Sequence, residues 1–326
     1  MKLFIPLTAL LILLIAASLL IGPAGIGLKD SLASLFIGDG TAEVLVMREI
    51  RLPRTLLAAL IGGGLGLCGA ALQGWLRNPL VEPGILGTSS GAALGAVIAL
   101  QTGFASLALP LLPLSALMGA FLAVVLLLAF AGRSHASLTL ILAGVAISSL
   151  AGAGTSLALN LSPNPYAAYE TMFWTMGSVA DRSLFHLALA APLVLLGCAV
   201  LLTTCSALKA LTLGEDTAAS LGFNLSKLRL QMILGSALIV GGATAVAGAI
   251  GFVGLVVPHL LRPLVKHNPA KLLPVSFLGG AILLLAADIT IRLIAPERDL
   301  KLGVLTALLG APLFLHLVWR QKRGAY

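Results

Sequence analysis

The sequence predicts an all-α membrane protein, a bundle of about ten transmembrane helices. Three observations point there. Of 326 residues, 59% are hydrophobic and 10% charged, whereas soluble domains carry about 25% charged residues. Mean hydropathy is +1.08. The apolar residues also come in blocks such as Leu3 to Gly22, which holds no charge and matches the roughly 20 residues a helix needs to cross a bilayer. A soluble enzyme, a nucleic-acid-binding domain and a secreted disulfide scaffold are excluded. The net charge of +8 does not reverse this, because the basic residues lie between apolar blocks and not on one face. Cys68, Cys198 and Cys205 fall inside apolar segments without metal-ligand spacing and read as small hydrophobes.

Taken in order, the spans fall near 3–22, 54–74, 92–109, 112–131, 138–158, 185–207, 230–250, 253–261, 274–291 and 302–319. The first block, preceded by Lys2, also has the outline of a signal peptide. Its apolar run exceeds the usual 7–15 residues and no A-x-A site follows, so an uncleaved span is expected. Two stretches are awkward. Residues 253–261 are too few to cross alone. The span after Pro83 starts in Gly87-Thr88-Ser89-Ser90-Gly91, which reads equally as a clipped loop or as an interrupted helix. Interrupted helices mark transport pathways, since irregular backbone at membrane depth must be buried in protein or line a cavity.

Charge sets the orientation. With ten alternating spans and both termini inside, the outside holds Lys29, Arg48, Arg51, Arg54, Arg182, Arg292, Arg298 and Lys301, and the other twelve of the 20 Lys/Arg lie inside. The positive-inside rule therefore favours cytoplasmic termini.

Shifting the chain by 178 residues lays Ala59-Leu60-Ile61-Gly62-Gly63-Gly64 on Ala237-Leu238-Ile239-Val240-Gly241-Gly242. The expected halves, about 50–158 and 230–320, would be inverted repeats within one transmembrane domain covering 1–326. Small residues recur every fourth position at Gly62, Gly66, Ala70 and Gly74, and again at Ala237, Gly241, Ala245 and Ala249. Such stripes let helices approach closely and are read as packing surfaces.

Chemistry is sparse. Asp288 lies within a span, with Arg292 one turn on, and the i,i+4 spacing predicts an internal ion pair. No G-x-x-x-x-G-K-[ST] occurs, and His135, His186, His259, His267 and His316 are scattered. Uphill transport would thus draw its energy from another subunit. A secondary carrier with an inverted repeat is the alternative, weakened by the scarcity of membrane carboxylates. An integral-membrane enzyme would need converging acid, base or metal-binding groups, which the sequence does not offer. Between two spans, Gly214-Glu215-Asp216-Thr217-Ala218-Ala219-Ser220-Leu221-Gly222 predicts a short surface helix, with acids in its first turn and glycine past its end.

That segment resembles the coupling loop of ABC importer permeases. Ordered motifs along nearly the whole chain make the chain similar to the FecCD-type family of type II importers: Ile50-Arg51-Leu52-Pro53-Arg54-Thr55, Asn78-Pro79-Leu80-Val81-Glu82-Pro83-Gly84-Ile85-Leu86-Gly87, Leu142-Ala143-Gly144-Val145-Ala146, Phe173-Trp174-Thr175-Met176-Gly177-Ser178, the run from Gly251 to Arg262, and Gly310-Ala311-Pro312-Leu313-Phe314. The resemblance implies a permease subunit that homodimerises in a bacterial inner membrane. Two ATPase subunits holding ATP and Mg, and a periplasmic or lipid-anchored binding protein, would be its partners, with no cofactor in this chain and no nucleic acid. The cargo implied is a bulky metal chelate, ferric siderophore ahead of haem and cobalamin. By the same resemblance Arg51, Arg54 and Arg292 would receive the binding protein. Gly214, Glu215, Asp216, Ala218, Ala219, Leu221 and Gly222 would couple to the ATPase, and Asn78, Leu80, Ser137 and Leu138 would form the cytoplasmic gate. Taken as residues alone, Asn78-Pro79 is a turn signal, and span-end arginines also snorkel. His259 and Arg262 read as architectural or ATPase-facing. One departure stands out: Asp299-Leu300-Lys301-Leu302-Gly303 replaces the family's Glu-x-Pro-x-Gly, so the outer loop is expected to differ in shape.

Overall fold

The computed structural model describes residues 3–22, 26–27, 33–34, 41–131, 137–162, 165–295 and 300–323. Lys2, Lys29, Arg133, His135, Arg298 and Asp299 lie outside the described residues; of Ser137, Arg320, Lys322 and Arg323 only the backbone is described.

Apolar segments fold as helices because in a bilayer each backbone N–H and C=O must find a partner within the protein. The described helices are α1 (Phe4–Leu20), α2 (Ala42–Trp75), α3 (Thr88–Gln101), α4 (Leu111–Ala131), α5 (Ser137–Asn160), α6 (Pro165–Thr175), α7 (Leu184–Leu202), α8 (Cys205–Leu211), α9 (Glu215–Ser220), α10 (Leu225–Ala247), α11 (Val253–Leu261), α12 (Pro269–Ile294) and α13 (Leu302–Arg323). The helix count corrects the expected ten. Ten of the thirteen match the expected spans and α9 matches the expected surface helix, while α6 and α8 were not foreseen. Both are short. In α6 the aromatic and acidic residues Tyr166, Tyr169 and Glu170 dilute the apolar signal, and α8 is split from α7 only by Thr203 and Thr204. Among the described residues, six helices are long and apolar enough to cross a membrane, namely α2, α4, α5, α7, α10 and α12.

Both awkward stretches are broken helices. Pro83–Leu86 forms a 3₁₀ turn, Gly87 turns left-handed at φ +80°, and α3 starts at Thr88. Gly248 (φ +70°) ends α10, and Phe252 (φ +67°) opens the nine-residue α11. In α2 a π turn over Val46–Arg51 precedes Pro53, and the Leu52 N–H reaches the Met47 carbonyl five residues back. Proline cannot donate to the preceding turn, and a π turn is one way the helix absorbs that loss.

The bundle is built around α2, whose residues from Ile61 to Gln73 are all buried. It packs antiparallel on α12, with Gly62 and Gly66 facing the backbone of Gly280 and Ser276. A Cβ at Gly62 would stand 2.3 Å from the Gly280 carbonyl oxygen. The small-residue stripe is thus a packing surface, as the spacing implied.

Candidate functional site

From Leu52 to Trp75, α2 rises about 36 Å, roughly the thickness of a bilayer core with part of its interface. Polar clusters stand at its two ends.

At the first end, Arg54 pairs with Asp288 on α12 (Nη2 to Oδ1, 2.8 Å), and Arg292 pairs with the same carboxylate one turn away. The i,i+4 pair predicted by the sequence is present, enlarged by an arginine 234 residues distant. Arg51 donates to the carbonyls of Leu19 and Leu20 (2.9 and 3.0 Å), and Arg292 to those of Ser18 and Ile21 (2.7 and 2.9 Å). These are terminal carbonyls of α1, left open where its helix stops. Ser18 Oγ and Thr55 Oγ1 also meet at 2.8 Å. Arg51 and Arg292 are buried, whereas the Arg54 side chain keeps 19% exposure. Arg54 and Arg292 share the one Asp288 carboxylate while Arg51 is held on α1, so positive charge exceeds negative at this rim.

At the other end, Arg77 closes α2 in a left-handed conformation (φ +49°). Asn78 Oδ1 accepts from the Leu80 N–H at 3.0 Å, the Asx turn that Asn-Pro signals. Asn78 is exposed and Leu80 half-buried. The segment Gly214–Gly222 lies alongside. Gly214 (φ +108°) precedes α9, and Gly222 (φ +88°) follows it. The Phe223 N–H donates to Ala218 and the Gly222 N–H to Ala219, a Schellman close. Ala218 is buried, while Asp216, Ala219 and Leu221 are exposed. Arg77 Nη2 reaches Glu215 Oε1 at 2.9 Å and so joins this helix to the connection that holds Asn78 and Leu80. Of the remaining gate candidates, Leu138 is 66% exposed on α5. Helix α5 meets the connection further along, where Gly144 abuts the Ile85 carbonyl.

Just past Leu80, Glu82 accepts from the Phe252 N–H at the start of α11. Burial pushes the Glu82 carboxyl up from its ordinary range, and the hydrogen bond from Phe252 partly offsets this. Glu82 borders a cavity of about 190 Å³ shared with Ser89, Ser90 and Thr244.

A family model described as "FecCD transport family" matches residues 10–320. The chain belongs to the FecCD transport family. A hemin transport system permease protein, HmuU of Yersinia pestis, is 39% identical over 96% of this chain and 95% of its own length. The vitamin B12 import system permease protein BtuC of Vibrio cholerae is 41% identical over 88% and 86%. A solved structure, described as an inward-facing conformation of a putative metal-chelate type ABC transporter, superposes with a TM-score of 0.87 at 36% identity, covering 98% of this chain and 99% of that one. The protein is a multi-pass transmembrane ABC permease. Within this FecCD member, Gly303 has its role set by backbone: its N–H donates to Gly177 at 3.1 Å, and a Cβ there would lie 2.2 Å from the Met176 carbonyl oxygen. Lys301, standing at the family's proline, places its ammonium 5.0 Å over the Phe173 ring. The residues that sequence reasoning missed are Gln73 and Arg77. The signal for Gln73 was a lone amide following a run, Gly62 to Leu72, made of Gly, Ala, Leu and Cys68.

Proposed function

We propose that this chain is the permease subunit of an ATP-driven importer that moves a bulky metal chelate by alternating access between two copies of itself. One observation carries the reading: the Arg77–Glu215 pair ties the α9 helix to the connection holding Asn78 and Leu80. A push received on Gly214–Gly222 from a separate ATPase subunit would thereby reach the gate through one side-chain contact. The gate is formed by Asn78 and Leu80 with Ser137 and Leu138, small polar and aliphatic groups that close sterically without gripping cargo. Large apolar residues exposed on α5 in the isolated chain, among them Leu142, Val145, Leu150 and Leu157, suit burial against the second copy.

The rim arginines receive a binding protein. Excess positive charge at Arg51, Arg54 and Arg292 favours an acidic partner and mainly speeds and orients its encounter. Because Arg51 and Arg292 are engaged on α1, Arg54 makes the first contact. Asp288, held between two guanidinium groups, is poorly placed to cycle a proton or sodium ion, which speaks against a secondary carrier. Twelve inside cations in the ten-span count support cytoplasmic termini, and on this reading the membrane is a bacterial inner membrane.

Uptake of labelled ferric siderophore, haem and cobalamin is the test, in cells lacking their own permease and supplied with this chain, its ATPase and its binding protein. Saturable uptake of one cargo, abolished by an ATPase-dead partner, is expected. Uptake that persists without the ATPase would overturn the importer reading.

A further inference from the structure

Gln73 is 2% exposed in the last turn of α2, and its carboxamide joins three segments. Nε2 lies 3.2 Å from the Val81 carbonyl oxygen, 3.2 Å from that of Gly254 and 3.4 Å from that of Leu255. Two N–H groups thus serve three acceptors, one of them shared. Oε1 accepts from Arg262 Nη2 just beyond α11.

The Gly254 contact has a backbone cause. In α11 the residue four after Gly254 is Pro258, which has no N–H to give, so the Gly254 carbonyl lacks its helical donor. Gly69 sits one turn before Gln73 on the same face of α2. A Cβ there would stand 1.9 Å from the Gly254 oxygen, so only glycine lets α11 come close enough for the amide to reach. The Val81 bond pins the residue next to Leu80, and Glu82 is tied in turn to Phe252. The connection after α2 is therefore fastened to α11 at two consecutive positions, through the Gln73 amide at Val81 and directly at Glu82.

We propose, on the gate reading given above, that Gln73 is the positioning residue of the gate, fastening the Asn78–Leu80 connection to α11 so that the two move as one body when nucleotide binds. Arg262 holds the amide in the orientation that aims Nε2 at the carbonyls.

The test uses the full permease with its ATPase subunit in lipid nanodiscs, carrying Leu80→Cys as a thiol reporter and Cys205→Ser to remove the half-buried native thiol. Maleimide labelling of position 80 is timed without nucleotide and with ATP under blocked hydrolysis. With Gln73 intact, the two rates are expected to differ; equal rates would sink the gate assignment itself. Against that reference, Gln73→Met keeps the volume and removes every hydrogen bond, and its rate ratio is expected to fall to unity while ATP hydrolysis continues. Gln73→Glu keeps the acceptor for Arg262 and loses the donors, and is expected to match Gln73→Met. A nucleotide-dependent ratio retained in both variants overturns the proposal. Retention in Gln73→Glu alone also overturns it, because the Arg262 bond would then suffice. If Gln73→Met does not fold, Gln73→Glu alone decides, with Arg262→Lys as a control expected to keep the nucleotide-dependent difference in rate.

Discussion

Arg77 and Glu215, 138 residues apart in sequence, meet at 2.9 Å where α2 ends and α9 begins. Their side chains keep 52% and 42% exposure, so the pair contributes little to folding, about 1 kcal/mol at most. Its value lies in what it joins.

Arg77→Glu and Glu215→Arg should each leave the melting temperature nearly unchanged and lower cargo moved per ATP hydrolysed. The double exchange should restore the ratio. Proteoliposome uptake measured alongside phosphate release checks this. A double exchange no better than the singles would remove the pair from the coupling path.

Asp288 is 1% exposed and pairs with two arginines. Asp288→Asn leaves both cations without their counter-charge, and losing one partner of a buried pair costs about 3–5 kcal/mol. Thermal unfolding of the detergent-solubilised protein should show a large drop. The double variant Asp288→Leu, Arg292→Leu should recover part of it.

Gly69 and Gly152 make a matched comparison within helices. A Cβ at Gly69 would collide with the Gly254 carbonyl, while one at Gly152 meets nothing within 4 Å. Gly69→Ala should lose about 1–3 kcal/mol or more through forced backbone separation. Gly152→Ala should be neutral or stabilising by up to about 1 kcal/mol. Expression level and melting temperature read both.

Glu82 gives a pH signature. Burial raises its carboxyl in the folded state above the ordinary 4.5, so the folded protein holds the proton more tightly than the unfolded chain. Stability from this group is greatest below about pH 4.5 and is lost as pH climbs through the raised folded value. Glu82→Gln still accepts the Phe252 N–H and does not titrate. Its melting temperature should exceed that of the wild type at pH 7, with the gap closing on acidification. A constant gap would contradict the burial argument.

Much of the candidate site was legible locally. Gly214 and Gly222 bracketed α9 because helix ends need particular backbone conformations, and Asn78-Pro79 announced its turn. Asp288 and Arg292 stood four apart on one helix, so their pairing was a matter of spacing. The third partner, Arg54, was beyond reach, because which helix faces α12 depends on packing between helices.

The sequence by itself determined an all-helical membrane bundle, most of its spans and its family, because hydropathy and motif order act along the chain. It flagged 87–91 and 253–261 as awkward, and the structure made them breaks at Gly87 and at Gly248–Phe252. Only the tertiary structure decided that Arg51 and Arg292 cap α1, that Arg77 meets Glu215, and that Gln73 supplies the donor Pro258 withholds from Gly254. Those contacts depend on where helices cross, and crossings are set by glycine faces and by polar groups that must find partners once water is excluded.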